Sequence, residues 1–418
     1  MSRQQTICSA GKPGSVLGVD AARLRAVAAA RVVAEVETLP LAMARCRVAA
    51  GPALAAVALP PFDNAAMDGY AFGSRALAGP GPWSLPVSLR IVAGDSAHHR
   101  LPEGTAARIM TGAPIPDGAD AVVMHERIRR TGDRIEITDR PAPGLNIRRR
   151  GEDCTAGNVL LPDGALLTPQ RLALLAGAGL PQVTVRRKLR VGLLSTGNEL
   201  RDPGSALRHG QIYNSNRVML AAAMADPWLD LVDHGILPDD PEAIRAALRV
   251  LSATCDVIVS SGGVSAGEED HVLDALAREA AELEVLKVAI RPGKPLTVGR
   301  IGGALFFGLP GNPYAAFVTF TQIARPALRR ASGLTEIPDD WLACVADFNL
   351  DRLTGRREYL PVTWDRRDAL GRPLLQLIGR GASARLSPIS LARGIAMIDE
   401  GVGPVRKGMS LPVELLPC

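Results

Sequence analysis

DVIVSSGGVSAGEEDHV (256–272), KVAIRPGKPLTVG (287–299) and ALFFGLPGNPYAAF (304–317) follow closely on one another and share one design. Each is a short β-branched or aromatic run that stops at a Gly- or Pro-rich turn. Asp256–Ser260 reads as a buried strand, and the glycines and serines of Ser261–Gly267 come directly after it. Val272, Ala275 and Leu276 then recur at helical spacing. Strand, glycine turn and helix start together predict an anion cradle, because the first N–H groups of a helix lack partners and its dipole adds partial positive charge. The other two segments carry Arg291, Lys294 and the rigid Gly308–Pro313 turn to comparable strand ends, where open α/β sheets bind ligands. The stretch predicts the floor of an active site for an anionic, phosphorylated ligand.

Upstream, LRVGLLSTGNEL (189–200) is a further buried strand ending in Ser195–Gly197. A helix over 216–224, a strand over 229–237 and a helix over 241–251 complete an alternating βαβ order. That order predicts a three-layer α/β domain over 186–332. Downstream, CVADFNL, REYLPVTW, PLLQLI, IAMIDE and LPVELL are short strands at regular spacing, which implies a small β-barrel or sandwich, expected as a C-terminal β-barrel over 333–418. Toward the N-terminus the apolar spacing of Val19–Val36 predicts a helix, with a shorter one near Leu41, and Leu59–Tyr70 reads as an exposed rigid loop. Strands over 87–92, 107–110, 121–125 and 134–137 predict a β-rich module spanning 51–144. It is expected to be inserted into a discontinuous helical and extended N-terminal domain of 16–50 and 145–185, whose second part holds a helix over 169–179. Residues 1–15 are polar and read as a disordered leader without the apolar core of a signal peptide. The fold class is therefore α/β multidomain.

At 418 residues the chain is too long for one core. Its formal charge of +5 is mild and its basic residues form no long run. Aromatics make up only 4%, so no stacking platform for nucleic acid is advertised. Cys8, Cys46, Cys154, Cys255, Cys344 and Cys418 are scattered without CxxC spacing, which argues against zinc and disulfides and for a reducing compartment. No apolar run reaches the roughly 18 residues that span a bilayer. The expectation is a cytoplasmic protein with no nucleic-acid or membrane partner.

Asp68, Asp153, Glu199, Asp239, Asp240, Glu268, Glu269 and Asp270 all fall in loops, most of them after predicted strands. Carboxylates so placed suit Mg²⁺, which takes a few oxygen ligands and keeps its waters. Taken singly, each is more often a solvated or capping residue than a ligand, Asp240 before Pro241 above all. In the run Lys287, Arg291, Lys294 the spacing can turn Arg291 and Lys294 toward one oxyanion pocket, or the three can guard an exposed strand edge. The six histidines form no metal pair, and Ser195 and Ser265 lack the surroundings of a hydrolase nucleophile.

Eight pieces in order then resemble one family. They are PPFDNAAMDGYA (60–71), RIMTGAPIPDGADAVVMHE (108–126), GLNIRRRGED (144–153), STGNEL (195–200), GQIYNSN (210–216), SSGGVSAGEED (260–270), RPGKP (291–295) and GLPGNP (308–313). Together they resemble the molybdopterin molybdenumtransferases, the MoeA and gephyrin E-domain family. The resemblance implies insertion of molybdenum from molybdate into adenylylated molybdopterin with release of AMP, by a homodimer whose site lies between one subunit and its neighbour. It implies functional positions at Asp68, Thr111, Asp153, Glu199, Asp239, Asp270, Lys287 and Lys294, with Glu199, Asp239 and Asp270 as ligands of Mg²⁺. Ser261, Gly262, Gly263, Ser265, Gly267, Pro310, Gly311, Asn312 and Pro313 would hold the pterin phosphate. Arg291, Lys294, Pro295, Arg356 and Ser383 would hold molybdate. Contact with a molybdopterin adenylyltransferase and with acceptor molybdoenzymes is also implied. The sequence departs from the family at Asn198, often Asp, at Arg291, usually Lys, and in ASARLSPIS (382–390). The alternatives are a MogA-like adenylyltransferase that uses ATP, and a molybdopterin-binding scaffold without catalysis.

Overall fold

The computed structural model describes residues 16–95, 98–262, 271–279, 282–293, 296–335, 341–379 and 384–416, so the leader expected over 1–15 lies outside the described residues. Leu189–Thr196, Val257–Ser261 and Ala304–Leu309 are strands buried over almost their whole length. Strands covered on both faces read as continuous apolar runs, and these do. They lie in a six-stranded sheet ordered Leu229–Leu237, Leu189–Thr196, Val257–Ser261, Ala304–Leu309, Leu296–Ile301, Glu282–Leu286. The first four are mutually parallel, and each of the last two is antiparallel to the strand before it. Alternate side chains enter opposite cores: Val191, Val259 and Phe307 meet Leu220 and Val318, whereas Leu194, Ile258 and Phe306 meet Ile244, Leu248 and Val272. The result is three layers, as expected.

The register decides what shares a rim. Thr297 pairs with Gly308 and Leu286 with Leu296. Hence Lys287 and the Arg291–Gly293 turn emerge at the rim where the parallel strands have their carboxyl ends.

A helical rod of Pro313–Thr319, a π segment Phe320–Ala324 and Arg325–Ala331 packs on this sheet. Pro326 has no N–H for the Gln322 carbonyl, and that carbonyl instead accepts from Arg23 Nε at 2.8 Å. Arg23 belongs to the N-terminal helix Val19–Ala29, whose Val19, Ala22 and Ala26 enter the same core. That helix stops earlier than its spacing predicts. Val33 N–H donates to Ala331 O, and Val36–Pro40 then pairs antiparallel with Gln182–Arg186, so a distant strand overrides local helix propensity. Near Leu41 only one 3-10 turn forms.

Two further sheets complete the chain. The β-rich sheet is ordered Ala121–Met124, Gly69–Phe72, Ala106–Ile109, Trp83–Ile91, Arg134–Ile137, Arg129–Thr131, with its own core of Phe72, Ile91, Ile109 and Ile137. The segment expected as an exposed loop contributes to it, since Ala65 and Tyr70 are buried and Gly69–Phe72 is a strand. Paired segments Ala53–Leu54 with Val159–Leu161, and Asn64–Ala65 with Ile147–Arg148, lead out to it. At the C-terminus Arg357–Thr363, Leu374–Leu377, Trp341–Ala346, Ser410–Leu415 and Gly394–Ile398 pair in that order, and the last returns to the first. This is a closed five-stranded barrel around Val362, Leu375, Ala396 and Val413. Among the described residues no helix is long and apolar enough to cross a membrane.

Candidate active site

The chain crosses from Leu189–Thr196 to Leu229–Leu237 on one side of the sheet and returns to Val257–Ser261 on the other. The carboxyl ends of Leu189–Thr196 and Val257–Ser261 therefore flank a topological switch point, where ligands of open α/β sheets bind. Three hydroxyls stand at or beside this rim: Ser195 Oγ, Thr196 Oγ1 and Thr297 Oγ1 are buried with no hydrogen-bond partner among the described residues. Buried polar groups are normally paired, so such orphans mark a place prepared for something polar.

Glu199 and Asp239 leave neighbouring strand ends. Asn198 N–H donates to Asp239 Oδ2 at 2.8 Å, and Asp239 N–H donates to Asn198 Oδ1 at 3.2 Å. This reciprocal pair locks the two loops together and leaves Asp239 Oδ1 outside it. The Glu199 carboxylate folds back over Gly197, 2.5–2.8 Å from where a Cβ would stand, and Gly197 has φ of 150°. A side chain at 197 would displace it. Asp240, by contrast, caps the helix Pro241–Thr254 by accepting from Glu242 N–H at 3.1 Å. Glu199 and Asp239 present oxygen donors alone, the ligand type of a hard divalent cation. Among the described residues no group of three metal-ligating side chains forms.

Asn216, in the first turn of the helix Ser215–Ala223, ties the next two loops. Its Nδ2 donates to Ser261 Oγ at 2.9 Å and to Gly311 O at 2.7 Å, and its buried Oδ1 has no partner among the described residues. Gly262 N–H is spent on Leu309 O. Pro310 is buried, Asn312 is the N-cap and Pro313 opens the helix. Tyr314 then reaches across, its hydroxyl donating to Tyr359 O of the barrel at 2.9 Å. Burial pushes the Tyr314 hydroxyl well above its usual titration range, so it stays a donor.

The cations gather where the sheet meets the barrel. Ile290 and Arg291 pair parallel with Arg357 and Glu358. Arg291 is half-exposed, with Nη1 at 3.4 Å from Glu358 Oε1. Arg356 is exposed one residue before the same ladder, and Lys287 is exposed while its carbonyl accepts from Leu17 N–H. Gly293, with φ of 133°, sits where a Cβ would stand 2.9 Å from Thr319 Cγ2.

Asp68 and Thr111 form a pair on the β-rich sheet. Asp68 Oδ1 accepts from the Thr111 hydroxyl and from its N–H, both at 2.7 Å. The Thr111 hydroxyl first, then its N–H, hold the Asp68 carboxyl below the ordinary carboxylate range. Asp153 is exposed on a loop whose N–H donates to Leu59 O. Among the described residues no hydrogen bond or ion pair of Asp68 reaches the rim of the α/β sheet. Gly263, Ser265, Gly267, Asp270, Lys294, Pro295 and Ser383 lie outside the described residues. The structure thus gathers Lys287, Arg291, Glu199, Asp239, Ser261, Gly262 and Pro310–Pro313 at one rim, with Arg356 one residue before the barrel strand that pairs with Arg291. Asp68, Thr111 and Asp153 stand elsewhere in the chain. Asn216 is the rim residue that motif reading passes over, although GQIYNSN contains it.

Comparison with known proteins gives a consistent picture. Family models described as "MoeA N-terminal region (domain I and II)", "Probable molybdopterin binding domain" and "MoeA C-terminal region (domain IV)" match residues 17–179, 192–330 and 344–416. The chain is 39% identical over 399 residues to molybdopterin molybdenumtransferase 2 of Mycobacterium tuberculosis, covering 92% of this chain and 97% of the relative. It is 34% identical over 405 residues to the molybdopterin molybdenumtransferase of Haemophilus influenzae, covering 96% and 98%. A solved molybdopterin biosynthesis moeA protein of Pyrococcus horikoshii matches at 31% identity with a TM-score of 0.75, covering 96% of this chain and 99% of that one. A second solved form from that organism matches at 27% identity with a TM-score of 0.82, covering 96% and 100%.

Proposed function

The chain belongs to the MoeA family, and we propose that it inserts molybdenum from molybdate into adenylylated molybdopterin with release of AMP. It is an enzyme, a transferase of molybdenum cofactor biosynthesis. The observation that carries the finer reading is the shared rim: oxygen-only carboxylates beside the switch point stand on one edge with Lys287 and Arg291, and Arg356 precedes the barrel strand that pairs with Ile290 and Arg291. One set of groups suits a metal-bound phosphoanhydride and the other a free oxyanion.

In this reading the orphaned hydroxyls of Ser195, Thr196 and Thr297, with Asn216 Oδ1, receive the polar edge of the pterin phosphate. Ser261 and the Gly311–Pro313 turn hold it in place through Asn216. Glu199 and Asp239, with Asp270, would hold Mg²⁺, and their oxygen-only donor set fits that ion. Bound there, the ion would neutralise charge on the phosphoanhydride as the bond to AMP breaks. Arg291 and Arg356, with Lys294, orient molybdate, Arg by its planar fork. Asp68, Thr111 and Asp153 serve a homodimer, the β-rich sheet of the neighbour closing the site; their distance in bonding from the rim of their own chain supports that arrangement. Asn198 does not turn the chain into a scaffold in this reading, because its Oδ1 performs the acceptor role toward Asp239 N–H that an Asp would perform.

The test is AMP release from adenylylated molybdopterin, with and without Mg²⁺, by the wild type, Glu199→Ala and Asp239→Ala. Loss of about 100-fold or more in both variants is expected. Wild-type release by both would remove the carboxylates from the mechanism. Adenylylation of molybdopterin from ATP by the wild type would favour the adenylyltransferase instead.

A further inference from the structure

RLTGRREY (352–359), which leads into the barrel strand Arg357–Thr363, contains a buried ion pair that motif reading leaves without a role. The side chains of Arg352 and Glu358 are 2% and 7% exposed. Arg352 Nε donates to Glu358 Oε2 at 3.0 Å. Its Nη1 donates to Asp399 O at 3.0 Å and to Val402 O, and its Nη2 donates to Arg356 O. All three nitrogens are therefore engaged, and one of them fixes the main chain of Arg356. Glu358 divides its two oxygens: Oε2 meets Arg352, and Oε1 stands 3.4 Å from Arg291 Nη1. Arg291 remains 53% exposed, so the rest of its fork is open to a ligand.

A buried pair of this kind is weak evidence for stability, since desolvation offsets much of its attraction. Its geometry serves placement better. One guanidinium and one carboxylate, both locked by burial, hold the two exposed arginines of the rim from behind. Arg356 is held through its carbonyl and Arg291 through its guanidinium. Arg352 and Glu358 neutralise each other, so the net charge offered outward is still that of Arg291 and Arg356. We propose that Arg352 and Glu358 are positioning residues that preset Arg356 and Arg291 for one tetrahedral oxyanion. The proposal rests on the reading of Arg291 and Arg356 as the molybdate-binding pair.

The experiment measures the molybdate concentration that half-saturates AMP release by the full-length chain, in wild type, Glu358→Gln, Arg291→Gln and the double variant. Affinity for adenylylated molybdopterin without molybdate and the melting temperature are read alongside. Outer contacts that orient a binding group typically matter about tenfold or more, so Glu358→Gln should raise half-saturating molybdate by about that factor. Pterin affinity should stay within about twofold, and Glu358→Gln should add clearly less than its single effect once Arg291→Gln is present, because much of its effect runs through that side chain. Full additivity in the double variant, an unchanged half-saturation, or tighter molybdate in Glu358→Gln would overturn the proposal; the last would make Glu358 a counter-charge. No effect of Arg291→Gln would overturn the molybdate reading itself. If Glu358→Gln does not fold, Glu358→Asp keeps the charge beside Arg352 while drawing it away from Arg291, and is judged by the same criteria.

Discussion

Asn216 has one amide and must serve two loops with it. Removing it in Asn216→Ala would strand Ser261 Oγ and Gly311 O, both at the floor of the rim. Ser261 Oγ is the buried one of the two, and an unpaired buried group costs about 1–3 kcal/mol, so thermal unfolding should show a loss of that order and AMP release should fall with it. Thr111 acts on charge instead. Its hydroxyl and N–H keep Asp68 ionised below the ordinary range, so any activity that needs the Asp68 carboxylate persists to lower pH than an unbonded Asp would allow. Thr111→Val removes the hydroxyl donor, raises the Asp68 pKa toward the ordinary aspartate value of 3.8, and should shift the acid limb of the pH–rate profile upward. A profile unchanged in Thr111→Val would detach Asp68 from the rate. At this scale the sequence is legible where a residue's role is local. Asp240 before Pro241 signals a cap, and it is one. Asn216 and Glu358 act across strands and loops far apart in sequence, and no local pattern announces them.

Among elements, the helical rod and its π segment illustrate how one proline is accommodated. Pro326 leaves the Gln322 carbonyl without its helical donor, and Arg23 supplies the hydrogen bond from another helix. Arg23→Met should therefore cost about 1–3 kcal/mol in denaturant unfolding, the penalty of a partly buried acceptor left unpaired. Gly293 lies two residues after Arg291, in a close approach to Thr319 and Ile290. Gly293→Ala would force a left-handed φ and a contact of 2.9 Å with Thr319, a strain of about 1–3 kcal/mol. Its half-saturating molybdate should rise as the turn shifts. Elements with strong period and close partners were readable from sequence: Arg134–Ile137 and Leu229–Leu237 have the expected bounds. Val36–Pro40 was not, since its strand character comes from Gln182–Arg186 and not from its own side chains.

At the scale of the whole molecule, arginine clamps join regions that motifs treat separately. Arg357 grips Asp20 through two nitrogens at 2.7 and 2.8 Å and Glu400 at 3.1 Å, tying the N-terminal helix to the barrel. Arg187 grips Asp256 at 2.7 and 2.8 Å at the foot of a central strand. Burial alone would raise the Asp256 pKa, but the Arg187 guanidinium and the Arg190 N–H outweigh it and leave the carboxyl depressed. A depressed carboxylate pKa gives stability that is fully present above the unfolded value of 3.8 and lost as pH falls through the folded one. Arg187→Met should remove part of that contribution, destabilising the chain at neutral pH and moving acid unfolding to higher pH. An acid transition unmoved by this change would mean the clamp contributes nothing. The three-layer sheet is legible in its strand spacing, whereas the C-terminal strands read equally as a barrel or a sandwich until their pairing closes the barrel. Asp68 and Thr111 stand on a sheet with its own core, and in the proposed arrangement it is the neighbour's sheet that would reach the rim.

The central claim is that molybdenum insertion and cleavage of the phosphoanhydride are one coupled event at this rim. The most direct measurement is the ratio of AMP released to molybdenum retained in the pterin product, for purified chain given adenylylated molybdopterin, Mg²⁺ and a molybdate titration. The account predicts one AMP for each molybdenum inserted, with release rising and saturating as molybdate is added. AMP release at full rate without molybdate, or tight pterin binding with no release at any molybdate concentration, would contradict it.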